Sequence, residues 1–83
     1  MGRHDAGLVR NTLRDFLRTL RRCGGEPRGD ANLLAEGVIS SLQLMELIAW
    51  VEDTWRVRVR PRDLFDGRLS SVDSIVDYIL AAA

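Results

Sequence analysis

Apolar residues recur at helical spacing in three separate stretches of this 83-residue chain, and that periodicity constrains the fold more than any other feature. From about Leu8 to Arg22, Val9, Leu13, Phe16, Leu17 and Leu20 share one side, and Gly24-Gly25 stops the helix. From about Ser41 to Trp55, Leu44, Leu47, Ile48, Val51 and Trp55 mark a second helix. From about Ser71 to Ala81, Val72, Ile75, Val76 and Ile79 mark a last one, with Ser70 or Ser71 as its cap. The segment "VRVRPRDLFDG" alternates as a strand would, but no second strand is there to pair with it. It reads instead as an extended connector into one short helical turn near Asp63 to Phe65. The expected fold is all-α: three main helices plus one short one in a small four-helix bundle. A long glycine-rich loop, "CGGEPRGDANLLAEGVI", joins helices one and two, with Leu33, Leu34, Val38 and Ile39 tucked against the core. Residues 1–83 are expected to form a single domain, structured over about 8–81.

The second helix carries one apolar face too many. With Leu47 at zero on a wheel of about 100° per residue, Leu44, Val51, Trp55 and Ile48 fall within about 100° of it. Leu42, Met45 and Ala49 fall between about 160° and 220°, on nearly the opposite side, flanked by Glu46, Glu52 and Asp53. A bundle of this size cannot bury both faces. The second stripe is therefore expected to be exposed, apolar in its middle and acidic at its rim, as partner-docking patches are. Scattered surface hydrophobes without a role are the plainer alternative.

Two serines open that helix. Ser40 is placed as the N-cap, with Gln43 three residues on to complete a capping box. Ser41 then becomes the first helical residue, its hydroxyl beside the positive end of the helix dipole, where an attached phosphate would be stabilised. Two ordinary capping serines would look the same from these residues alone.

Composition removes several classes. The start, "MGRHDAGLV", lacks the apolar stretch of a secretory signal, and no segment resembles a membrane span. Single Cys23 cannot make an internal disulfide, and a reducing cytoplasm is the expected location. All twelve basic residues are Arg and the net charge is zero. The charge is uneven: residues 1–28 hold seven Arg, whereas 30–55 hold Asp30, Glu36, Glu46, Glu52 and Asp53 with no Arg. The basic end and the acidic middle are suited to different partners, or to each other. Arg10, Arg14, Arg18 and Arg21 form a stripe, yet zero net charge and an acidic second helix speak against a nucleic-acid binder. A small enzyme lacks chemistry to work with: His4 lies in the tail, Cys23 has no evident partner, and no spacing suggests a metal site.

The run "GVISSLQLMELIAWVEDTWRVRVRPRDLF", followed by "LSSVDSIVDYI", resembles an acyl or peptidyl carrier protein. The matching residues are Ser41-Leu42, Glu46-Leu47, Glu52-Asp53 and Trp55, then Asp63-Leu64-Phe65 and the last helix, in order and spacing from about Leu8 to Leu80. The resemblance implies that Ser41 is esterified with 4'-phosphopantetheine by a phosphopantetheinyl transferase using coenzyme A. The arm's thiol would then hold acyl or aminoacyl groups as thioesters for loading, synthase or transferase enzymes. It further implies a docking helix whose contacts here would be Ser40, Leu42, Met45, Glu46 and Ala49, with no catalytic residue and no metal in the chain itself. A monomer binding neither nucleic acid nor membrane is expected. There are two departures from the family's pattern. Ser40 stands where an Asp is usual, and the charge is neutral, with Arg56, Arg58, Arg60 and Arg62 along the connector. The neutral charge points to a freestanding carrier of specialised biosynthesis, of polyketide or nonribosomal peptide type, whereas Ser40 removes a charge expected near the transferase's metal and is the one support for the reading that follows. The alternative is a carrier-like scaffold that has no arm and serves as an interaction module.

Overall fold

A computed structural model describes residues 5–20 and 27–82; the Gly24-Gly25 stop, Cys23 and His4 lie outside these. Four helices follow in order: α1, Ala6–Leu20; α2, Ser41–Trp55; α3, Pro61–Phe65; and α4, Val72–Ala82. No strand occurs among the described residues, so the expected all-α architecture, with its short third helix and long first loop, is the one formed. None of these helices is long and apolar enough to cross a membrane.

Helix α1 starts at Ala6, before the expected Leu8, because Asp5 supplies its cap. One carboxylate oxygen, Oδ1, accepts from the backbone N–H of Gly7 at 2.8 Å, satisfying a donor with no partner inside the helix. Its apolar residues then fall at one helical spacing, and Val9, Leu13 and Leu17 are buried. They face α4, whose Val72, Ile75, Val76 and Ile79 are buried in turn, and α2, which also packs against α1, adds Leu47, Ile48 and Val51 to the same core. Side chains as enclosed as Leu13, Leu47 and Ile79 stabilise the fold by about 1.5–3 kcal/mol each through removal from water.

Aromatic residues close one side of this core. Phe16 stacks on Trp50 with ring centroids 4.5 Å apart and planes 9° from parallel, and Trp50 meets the edge of Trp55 at 6.5 Å. Trp55, expected fully inside, is half-buried, as is Leu44. The core instead recruits apolar residues from outside the helices: Leu33, Ile39, Val57 and Leu69 are all buried.

The long loop is held in place by more than its apolar residues. Leu33 is buried and its N–H donates to the Ser70 carbonyl at 2.8 Å, which fixes the loop to the approach of α4. The Leu33 carbonyl accepts from both Val38 and Ile39, closing a turn in which Gly37 takes a left-handed φ of 70°. Leu34 departs from expectation. It is 44% exposed, because it lies at a cavity of about 170 Å³ shared with Leu33, Leu44, Leu64 and Leu69, rather than in the core. Nearer the loop's start, Gly29 passes so close to α4 that an added Cβ would lie 2.5 Å from Asp73 Oδ1. The same Asp73 oxygen pairs with Arg10 at 2.5 Å, and Asp73 N–H donates to the Gly29 carbonyl at 2.9 Å. One residue therefore ties α1, the loop and α4 together.

The connector after α2 is extended, with Val57 buried, Val59 half-buried and Arg58 and Arg60 exposed. Alternating residues of an extended chain point to opposite sides, and one side has a core to meet. Helix α3 begins with Pro61, whose missing N–H costs nothing at a first helical position. Of the two serines expected as caps for α4, Ser71 takes the role: its Oγ accepts from Ser74 N–H at 3.1 Å.

A carboxylate holds the short helix to the last one. Asp63 is buried, and Tyr78 Oη donates to its Oδ2 at 2.6 Å. That hydrogen bond holds the Asp63 carboxyl below its ordinary pKa; burial opposes it, and Arg68, with Nε 3.9 Å from Oδ1, adds to the lowering. Burial and the neighbouring carboxylate push the Tyr78 phenol above its ordinary value. The folded chain thus prefers ionised Asp63. Its contribution to stability is complete above the ordinary value of 3.8 and is lost as pH falls below it toward the lowered folded value. The Tyr78 contribution is complete below 10.0 and is lost as pH rises through its raised value. Melting temperatures recorded from about pH 6 to about pH 2 should fall more steeply for the native chain than for Asp63→Asn. Parallel curves would show that this pair does not set the acid limb.

Candidate functional site

The head of α2 is positioned by three attachments. Ile39, buried to 3% exposure, anchors the chain just before the helix. Ser40 follows as the N-cap with an extended backbone, its Oγ accepting from Gln43 N–H at 3.2 Å. Gln43 Oε1 accepts in return from Ser40 N–H at 2.9 Å, completing the capping box. The remaining end of the Gln43 amide, Nε2, donates to the Leu20 carbonyl at 2.7 Å, so the last turn of α1 holds the first turn of α2. The glutamine therefore serves two helices at once, which its spacing from Ser40 does not reveal.

Ser40→Ala should destabilise the fold by roughly 0.5–2 kcal/mol, since it leaves Gln43 N–H without its acceptor. Ser40→Asp should be close to neutral, because a carboxylate caps equally well. Denaturant melts of the two variants check both statements.

Ser41, one residue further on, is the first residue of α2 and is exposed. Its hydroxyl makes no hydrogen bond among the described residues. It stands at the positive end of the helix dipole, beside the first-turn backbone N–H groups, of which Gln43's is taken by Ser40 Oγ. An exposed hydroxyl in that field fits a covalently attached phosphodiester: one negative charge, acceptor oxygens and no steric enclosure.

Along the outer side of α2, Leu42 is 72% and Met45 54% exposed, and Glu46 and Ala49 are exposed beside them. Leu47, Ile48 and Val51 occupy the opposite, buried side. The helix thus has two apolar faces, of which the fold uses one. The rim differs in one respect from expectation. Glu46 and Asp53 are exposed, but Glu52 turns inward and its Oε2 accepts from Val59 N–H at 2.9 Å. It fastens the connector rather than lining a docking edge.

The arginine stripe of α1 is engaged within the fold. Arg10 pairs with Asp73, Arg14 Nη1 donates to the Pro27 carbonyl at 3.0 Å, and Arg18 pairs with Asp15; Arg21 lies outside the described residues. Among the described residues no group of three His, Cys, Asp or Glu could hold a metal ion.

A family model described as the phosphopantetheine attachment site matches residues 8–79. The chain belongs to this family of phosphopantetheine-binding carrier proteins, which includes the acyl and peptidyl carriers. No curated protein and no solved structure gives a significant match. Members of the family hold 4'-phosphopantetheine covalently on a serine, and they work with a phosphopantetheinyl transferase and with biosynthetic enzymes.

Proposed function

We propose that Ser41 is the serine that carries 4'-phosphopantetheine, and that the chain presents acyl or aminoacyl groups to partner enzymes without performing a reaction itself. The observation that carries this reading is the exposed, uncommitted hydroxyl of Ser41 at the first position of α2, beside a Ser40 whose hydroxyl is already occupied. When attached, the arm supplies a terminal thiol that holds its cargo as a thioester. The chain's own residues do the positioning: Ile39, Ser40 and Gln43 fix the helix end from which the arm extends. Digestion after incubation with a promiscuous transferase and coenzyme A should place the added mass on a peptide containing Ser41. Recovery of the added mass on a peptide from α4 would refute the assignment.

The outer stripe of α2 supports a docking role for Leu42, Met45, Glu46 and Ala49, with Ser40 at its edge. Leu42→Ala and Met45→Ala should change stability by no more than about 0.5 kcal/mol, since neither side chain is enclosed. Both should slow loading by the transferase, and Glu46→Arg should do so by placing the wrong charge at the rim. Loading rates equal to the native chain's in all three variants would remove this face from the account.

The neutral charge and the Arg-rich connector support partners that do not select an acidic carrier, hence a dedicated pathway of polyketide or nonribosomal peptide type. The expected setting is the cytoplasm, consistent with attachment of the arm from coenzyme A.

A further inference from the structure

The connector, α3 and the end of α4 enclose an open basin of about 810 Å³ in which Arg58, Arg60, Arg62 and Arg68 converge. None of Leu42, Met45 or Ala49 contributes to it.

Charge in the basin is arranged unevenly. Arg58, Arg60 and Arg62 make no ion pair among the described residues. Arg68 approaches Asp63 only to 3.9 Å, and that carboxylate is already bonded to Tyr78. Asp66 and Asp77 also line the basin, so its field alternates in sign rather than being uniformly positive. Because the connector is extended, with Val57 and Val59 turned inward, Arg58 and Arg60 stand on its outer side about 7 Å apart. Backbone positions at that spacing match alternate residues of an extended polypeptide, whose carboxylates can each take a guanidinium as a bidentate pair.

We propose that this basin docks an acidic, extended segment of a partner protein, holding the carrier by a surface that Leu42, Met45 and Ala49 do not line. A uniform polyanion fits less well. A nucleic-acid backbone or an anionic bilayer would set phosphates against Asp66 and Asp77 as well as against the arginines. The docking goes beyond the carrier reading and holds whether or not Ser41 is loaded, so the two can fail separately.

The test is a titration of the ¹⁵N-labelled full chain with a capped synthetic octapeptide bearing glutamate at every second position. Amide signals of residues 57–60 and 62 and of the last turns of α4 should shift, while those of Leu42, Met45 and Ala49 stay in place. Affinity should fall at least tenfold in Arg58→Glu/Arg60→Glu and with added salt. It should stay within a few-fold of native in Arg58→Lys/Arg60→Lys, which keeps the charges. Melting curves of both double variants should match the native chain, since these side chains are exposed. The proposal is overturned if the peptide leaves residues 57–60 and 62 unmoved or binds the reversed variant equally well. It is also overturned if duplex DNA or phosphatidylglycerol vesicles, at equal charge concentration, bind more tightly than the peptide.

Discussion

Leu47→Ala should cost roughly 2–5 kcal/mol, enough to unfold a large fraction of so small a domain. Leu47 is wholly buried, and it belongs to the core that α1 and α4 form with α2. Truncation removes its transfer free energy and leaves a void. The rest of that core, Leu13 and Ile79 included, is itself fully enclosed and has little freedom to move. Two residues away on the same helix, Met45→Ala should be almost silent in a melting curve. The contrast is the sharpest stability test of the two-faced helix. If Met45→Ala melts as early as Leu47→Ala, the outer face is core and the docking account of α2 fails with it.

Much of this arrangement is legible in the sequence because it is written locally. The spacing of Val9, Leu13 and Leu17, and of Val72, Ile75, Val76 and Ile79, locates α1 and α4 because a helix facing a core must repeat at that period. Ser40 and Gln43 announce the start of α2 since a capping box is completed within four residues. The two-faced character of α2 follows from its wheel and from the limited interior of an 83-residue chain.

What the sequence hides is long-range or depends on which way a side chain turns. Asp63 and Tyr78 are each unremarkable where they stand, and only the fold brings them to 2.6 Å. Gly29 reads as one more loop glycine until α4 is placed against it, with Asp73 filling the space a Cβ would need. Glu52 looks like part of an acidic rim, but an unpaired backbone donor at Val59 draws it inward. Leu34 looks like core and sits at the mouth of a cavity, because Leu33 has already taken the buried place. Trp50 lies outside the core arc of the wheel, and it finds its apolar partner on another helix, in Phe16. Periodicity says which faces are apolar; it does not say which polar groups will be left needing partners.

The second large effect is all-or-none. Loading requires a nucleophilic serine hydroxyl, and at the proposed site, the head of α2, Ser40 and Ser41 are adjacent, so the choice between them rests on what each hydroxyl is doing. Ser40 Oγ is committed to Gln43 N–H and belongs to the cap, whereas Ser41 projects from the first helical position with no partner among the described residues. Ser41→Ala should leave the fold intact, because an exposed serine at that position contributes little to stability. Ser40→Ala should weaken the fold yet keep the nucleophile. The deciding measurement is the intact mass of three proteins, native, Ser41→Ala and Ser40→Ala, after incubation with a promiscuous phosphopantetheinyl transferase and coenzyme A. The native chain and Ser40→Ala should each gain one phosphopantetheine, and Ser41→Ala none. A gain that persists in Ser41→Ala, or a native chain that gains nothing while a known carrier in the same mixture is loaded, would contradict the account.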